Sequence, residues 1–154
     1  MLNPDYHDIL SAFGDADVEY LVVGAYAMAA HGHPRATGDL DLWIRRSPQN
    51  AKRVFHAVDT FGAPLHDVEE SDFTTPELVF QIGVEPRRVD ILTSIDGVTF
   101  EEAWAARFII EIEGLSIPVL SRHHLIQNKR AVGRPQDQAD VARLESIDED
   151  GPSE

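Results

Sequence analysis

Cysteine is absent from all 154 residues. Disulfides, thiolate metal sites and a cysteine nucleophile are therefore excluded. Basic residues are scarce, with 13 Lys and Arg against 27 Asp and Glu and a formal net charge of −14. Four acids, Asp148, Glu149, Asp150 and Glu154, crowd the last seven residues, yet the body of the chain is acidic without them. Gripping a nucleic-acid backbone takes Lys and Arg, so this balance argues against that as the main task. It suits solubility, attraction of metal cations, or docking onto a basic partner. No apolar run approaches the roughly 20 residues of a membrane span. The first eight residues have no basic segment leading into an apolar one, so no secretory signal and a cytoplasmic location are expected. Internal repeats and low-complexity stretches are also lacking.

What is present suits one globular domain. The 43% hydrophobic content is ordinary for a folded protein, and the length allows a single sizeable core. Residues 1–147 are expected to form that domain, with 148–154 as a flexible acidic tail. Pro4-Asp5 opens a helix that ends near Gly14, and 19–23 reads as a buried strand running straight into Gly24 and an Ala-rich helix. A strand follows around 39–44, and then a helix from Ser47-Pro48 to Phe61. Residues 62–77 read as a loop, and its acidic part, 67–77, reads as solvated by default, with covering the site or docking a partner as alternatives. Two hairpins follow, 78–84 with 87–92 and 108–112 with 115–120, separated by a short helix from Phe100. Ser121 caps a helix to about Val132, Gly133-Arg134-Pro135 interrupts it, and a last helix runs from Asp137 to Ile147. Short helices mixed with hairpins indicate an α+β fold.

The most informative segment is Thr37-Gly38-Asp39-Leu40-Asp41-Leu42-Trp43-Ile44. In a strand, residues i and i+2 share a face. Leu40, Leu42 and Ile44 then face a core, while Asp39 and Asp41 stand side by side opposite, with Trp43 on their face as a candidate base-stacking ring. Adjacent carboxylates repel unless a cation neutralises them. A hard cation such as Mg²⁺ prefers such oxygen ligands, and an exposed edge strand with a solvated acidic face is the simpler alternative. Two further elements bear on the choice. Gly24 sits at a strand-to-helix junction, where backbone N–H groups favour an anion such as phosphate. Asp90 lies between Val89 and Ile91 in its own apolar strand, with Arg88 on the same face, where it contacts phosphate or partners the carboxylate. Three acids on neighbouring strands can hold two Mg²⁺ ions about 3.5–4 Å apart for in-line phosphoryl chemistry. Asp90 is also a candidate general base. His31 and His33 supply too few ligands for zinc and fit helix termination and packing better.

Gly24-Ala25, then Asp39-Leu40-Asp41, then Val89-Asp90-Ile91 resembles the pattern of the DNA polymerase β-type nucleotidyltransferase superfamily. With Val22 to Asp41, Leu125-Ile126-Gln127-Asn128-Lys129 and Gly133 to Val141, the chain is similar over about residues 18–146 to small prokaryotic proteins of the AbiEii and minimal-nucleotidyltransferase type, many tied to toxin–antitoxin systems. The resemblance implies a short mixed β-sheet flanked by helices, with C-terminal helices. It implies Mg²⁺-dependent transfer of a nucleoside monophosphate from a nucleoside triphosphate such as ATP to a hydroxyl of a protein or RNA, with pyrophosphate leaving. Asp39, Asp41 and Asp90 would bind metal, and Gly24, Ala25, Arg35, Thr37, Arg88 and Lys129 would lie along the nucleotide and its phosphates. Ala25 stands where the family often has Gly or Ser, which keeps backbone contacts to phosphate and removes a hydroxyl one. Asp137 and Asp140 are read as ties between the last two helices. Two alternatives are a weakly catalytic protein of the same fold that binds a toxin or other protein through its acidic surface, and a metal-dependent phosphoesterase using the same acids.

Overall fold

The computed structural model describes residues 2–34, 38–84 and 87–150, without the side chains of 147–150. Six strands, β1 (Tyr20–Val23), β2 (Leu40–Ile44), β3 (Val79–Ile82), β4 (Val89–Leu92), β5 (Phe108–Ile112) and β6 (Leu115–Val119), form one sheet in the order β3-β4-β2-β1-β6-β5. The sheet is mixed. β2 lies parallel to β4 and β1 parallel to β6, while β1–β2, β3–β4 and β5–β6 are antiparallel. Both expected hairpins are present, although the turn residues 85 and 86 lie outside the described residues. The α+β architecture with a short mixed sheet flanked by helices agrees with the expectation from sequence.

Among the described residues, six α-helices surround the sheet: α1 (Pro4–Asp15), α2 (Gly24–Ala30), α3 (Pro48–Phe61), α4 (Phe100–Ala105), α5 (Arg122–Val132) and α6 (Pro135–Asp150). Their starts follow local chemistry. The side chains of Asn3, Ser47, Thr99 and Ser121 accept hydrogen bonds from the first-turn N–H groups of α1, α3, α4 and α5, which satisfies donors that the helix itself cannot. On α1, Tyr6, Ile9, Leu10 and Phe13 recur at helical spacing and are all buried. The core continues through Leu21, Leu42, Ile44, Val54, Val58 and Ile91.

Three local expectations need correction. The interruption before the last helix is only Gly133-Arg134, because Pro135 takes the first helical position, where its missing N–H costs nothing. The same helix runs on to Asp150, three residues into the expected tail. The acidic 62–77 stretch is not merely a solvated loop. It contains a 3-10 helix, Glu70–Thr74, closed by a reciprocal capping box between Glu69 and Asp72 and pinned by fully buried Phe73, which meets Phe80 edge-on.

Candidate active site

The site is assembled by two registers. Parallel pairing of β2 with β4 sets Asp41 opposite Asp90, and antiparallel pairing of β1 with β2 sets Val23 opposite Asp41. The residue after Val23 therefore arrives directly on the Asp41 carboxylate. That residue is Gly24, with φ +68°. A Cβ there would lie 2.2 Å from Asp41 Oδ2. Only glycine combines that backbone conformation with that approach. Asp39 lies just before β2, in phase with Asp41.

Arg88, just before β4, projects from the same face as Asp90. Its Nε donates to Asp90 Oδ1 at 2.7 Å and its Nη2 to Asp90 Oδ2 at 3.2 Å. The same Nη2 lies 3.2 Å from Asp39 Oδ2. The fork thus bridges two of the three carboxylates, a geometry that suits guanidinium and would not suit ammonium. The third carboxylate is left in a demanding environment. Burial first, and then the Asp90 and Asp39 carboxylates, push Asp41 up to about 7, with Arg88 opposing. Among the described residues, buried Asp39 Oδ1 has no hydrogen-bond partner. Nor is any group of three or more acids and histidines among the described residues set to hold an ion as the side chains stand, and the Arg88 guanidinium lies between Asp39 and Asp90.

Tyr6 completes the site and was not foreseen from the sequence. Its hydroxyl donates to the Gly38 carbonyl and reaches the Arg88 carbonyl at 3.3 Å. It therefore ties together the two segments that carry Asp39 and Asp90. Burial, then Tyr26 and the nearby Asp39 and Asp41, push its phenol up to about 12, so it remains a neutral donor. Tyr26 of α2 meets the Tyr6 ring edge-on at 5.7 Å. The one trace in the sequence is that Tyr6 falls on the buried stripe of α1.

The remaining expected residues fall in different places. Ala25 lies in the first turn of α2, whose start has no side-chain cap. Arg35 and Thr37 lie outside the described residues. Lys129 has its ammonium 2.9 Å from Asp140 Oδ2 and 3.6 Å from Asp137 Oδ1. Lys129 thereby joins α5 to α6, while Arg134 and Arg143 reach the same two buried aspartates from three residues away along the chain. The Arg134 hydrogen bond, the largest influence, holds the Asp137 carboxyl below its usual range. Trp43 is not available for stacking on a base. It is 2% exposed, and Phe100 of α4 covers it edge-on at 5.1 Å. His31 serves packing, its Nε2 2.8 Å from the Leu120 carbonyl oxygen and its ring stacked on Phe108.

No protein-family model and no curated protein matches the sequence. Solved structures do resemble the fold. A crystal structure of a candidate nucleotidyltransferase from Thermotoga maritima aligns with a TM-score of 0.64 at 18% identity, covering 95% of this chain and 96% of that one. The lincosamide antibiotic adenylyltransferase LnuA, solved with lincomycin bound, aligns with a TM-score of 0.59 at 17% identity, covering 96% of this chain and 98% of that one. ANT(2'')-Ia, in complex with adenylyl-2''-tobramycin, aligns with a TM-score of 0.53 at 18% identity, covering 90% of this chain and 84% of that one. At these identities the likeness is one of fold, and the fold is that of nucleotidyltransferases.

Proposed function

We propose that this chain transfers a nucleoside monophosphate from a nucleoside triphosphate to an acceptor hydroxyl, with Asp39, Asp41 and Asp90 holding Mg²⁺, two ions when the site is full. The observation that carries this reading is the register that sets Asp41 opposite Asp90 under Gly24. The donor set suits a hard divalent ion. All three side chains offer carboxylate oxygen, Asp39 Oδ1 is buried without a partner among the described residues, and crowding holds Asp41 up near 7. Each of these strains is relieved by a cation. Bound Mg²⁺ supplies neutralisation of phosphate charge and acidification of the attacking hydroxyl.

The chain's own groups have separate tasks in this reading. Gly24 and Ala25 offer the uncapped N–H groups of α2 to the triphosphate. Arg35, Thr37 and Arg88 add contacts to the phosphates. Asp90 accepts the proton of the attacking hydroxyl. Tyr6 keeps the Asp39 and Asp90 segments at fixed separation. Lys129 would reach phosphate only by leaving Asp137 and Asp140, so its first task is to join α5 and α6.

The acceptor follows from charge. A net −14 disfavours a polyanionic acceptor such as RNA and favours a cationic or neutral one, either a basic protein such as a toxin or a small polyhydroxylated molecule. The small-molecule choice has support from LnuA with lincomycin and ANT(2'')-Ia with adenylyl-tobramycin. The toxin choice has support from the resemblance to AbiEii-type proteins. The test uses α-phosphate-labelled nucleoside triphosphates, Mg²⁺, and a panel of hydroxylated amines, basic proteins and RNA. Wild type should label an acceptor and release pyrophosphate, and the Asp39→Asn, Asp41→Asn double variant should not. Label transfer that survives in the double variant refutes this site. Phosphate release without an acceptor would identify a phosphoesterase instead. A second reading, tight binding of a basic protein without label transfer, has support from Ala25 and from the engagement of Arg88 with two of the acids.

A further inference from the structure

Arg88 occupies the oxygens that a divalent ion would need. Its guanidinium takes both oxygens of Asp90 and one of Asp39. A cation and this fork therefore compete for the same lone pairs. The backbone of Arg88 cannot yield, because its carbonyl accepts the Leu40 N–H at 3.0 Å and lies 3.3 Å from the Tyr6 hydroxyl. The side chain can. It is 23% exposed, so solvent offers a path for its head, and it moves by rotation about its own single bonds around a fixed anchor. One guanidinium also leaves the cluster incompletely neutralised, since its single positive charge is shared between two carboxylates, Asp39 and Asp90.

We propose that Arg88 is an exchangeable counter-cation. It neutralises Asp39 and Asp90 until a divalent ion arrives, surrenders their oxygens to that ion, and turns its fork to the triphosphate that comes with it. The inference rests on the metal-dependent reading above and adds a consequence to it. Metal without nucleotide must displace Arg88 with nothing to receive the guanidinium, whereas metal with nucleotide gives it phosphate oxygens in exchange. Metal and nucleotide therefore bind cooperatively, each strengthening the other by the same factor. The residue prevents a tight metal-only state and couples loading of the site to the substrate.

The test measures Mn²⁺ affinity by electron paramagnetic resonance in wild type, Arg88→Gln and Arg88→Lys, alone and with a non-hydrolysable ATP analogue. In Arg88→Gln, Mn²⁺ alone should bind at least tenfold tighter than in wild type, and the tightening caused by the analogue should shrink. Its thermal midpoint in EDTA should fall, and Mn²⁺ should raise it by more than in wild type. Arg88→Lys, which keeps the charge and loses the fork, should fall between the two. Equal or weaker Mn²⁺ binding by Arg88→Gln, with wild type still binding Mn²⁺, overturns the role of Arg88 and leaves the metal site standing. Failure of every form to bind Mn²⁺, with or without the analogue, overturns the metal site and this inference with it. If Arg88→Gln does not fold in EDTA, recovery of its circular dichroism in Mn²⁺ supports the inference. If it folds in neither, Mn²⁺ affinity of Arg88→Lys equal to wild type overturns it.

Discussion

Replacing Gly24 by alanine should damage stability and site together, and the two parts can be separated. The backbone at Gly24 has φ +68°, a region that costs an L-residue about 1–2 kcal/mol. The new methyl group would stand 2.2 Å from Asp41 Oδ2 and 3.1 Å from Asp41 Cγ. Such overlap adds roughly 1–3 kcal/mol, or drives the carboxylate out of line with Asp90. The expected total is about 3 kcal/mol, a fall in thermal midpoint of roughly 6–12 °C for a chain this size. Urea denaturation of four proteins isolates the contact: wild type, Gly24→Ala, Asp41→Ala and the double variant. In the Asp41→Ala background the overlap is gone, so Gly24→Ala should cost only the backbone share of about 1–2 kcal/mol. The difference, about 1–3 kcal/mol, is the coupling between the two residues. Equal cost in both backgrounds would show that the close approach of β1 to the carboxylate does not matter. A cost below about 0.5 kcal/mol in wild type would refute the backbone argument as well.

Other perturbations test other parts of the same construction. In EDTA, the raised Asp41 carboxyl means that the folded chain holds a proton which the unfolded chain releases near 3.8. Stability from this group is thus present below about pH 4 and lost as pH rises to about 7. Wild type should lose on the order of 2 kcal/mol relative to Asp41→Asn across that window, after allowance for solvent screening, and parallel urea midpoints for the two proteins would contradict the assignment. Tyr6→Phe removes the hydroxyl that joins Gly38 to Arg88 and should cost about 1–2 kcal/mol. It should also weaken Mn²⁺ binding, and an unchanged Mn²⁺ affinity would show that the tie does not set the spacing of the acids. Asn50→Ala should cost about 2–4 kcal/mol in chemical denaturation with little effect on nucleotide binding. The buried amide makes three bonds to the Glu19 N–H, the Glu19 carbonyl and the Arg45 carbonyl, joining the start of β1 to the end of β2.

The carboxylate core of the site was legible because it is written locally. Alternation along one strand puts Asp39 and Asp41 on one face, an apolar flank marks Asp90, and a glycine between a strand and an Ala-rich helix marks Gly24. Tyr6 and Asn50 were not legible. Their bonds span 32 and 31 positions to Gly38 and Glu19, and nothing in the local pattern distinguishes them from ordinary helix residues. Trp43 shows the limit of strand alternation. It tells which side a residue faces and not whether a helix covers that side, and α4 does. Arg88 had two open readings from sequence, phosphate or carboxylate. The structure shows the second, and the exchange proposed above makes the first its sequel.

The order of strands in the sheet bears on how the protein comes to be folded at all. Its two hairpins, β3–β4 and β5–β6, close locally, but the pairings that build the site do not. Asp41 meets Asp90 only when β2 finds β4 across α3 and β3, and the sheet is complete only when β1 finds β6 across most of the chain. Non-local parallel pairings form slowly because the loops must close before any contact rewards them. During refolding, secondary structure should therefore recover before the protein gains any Mn²⁺ affinity. The ability to bind metal should appear in the slowest phase, as a kinetic marker that the central strands have joined.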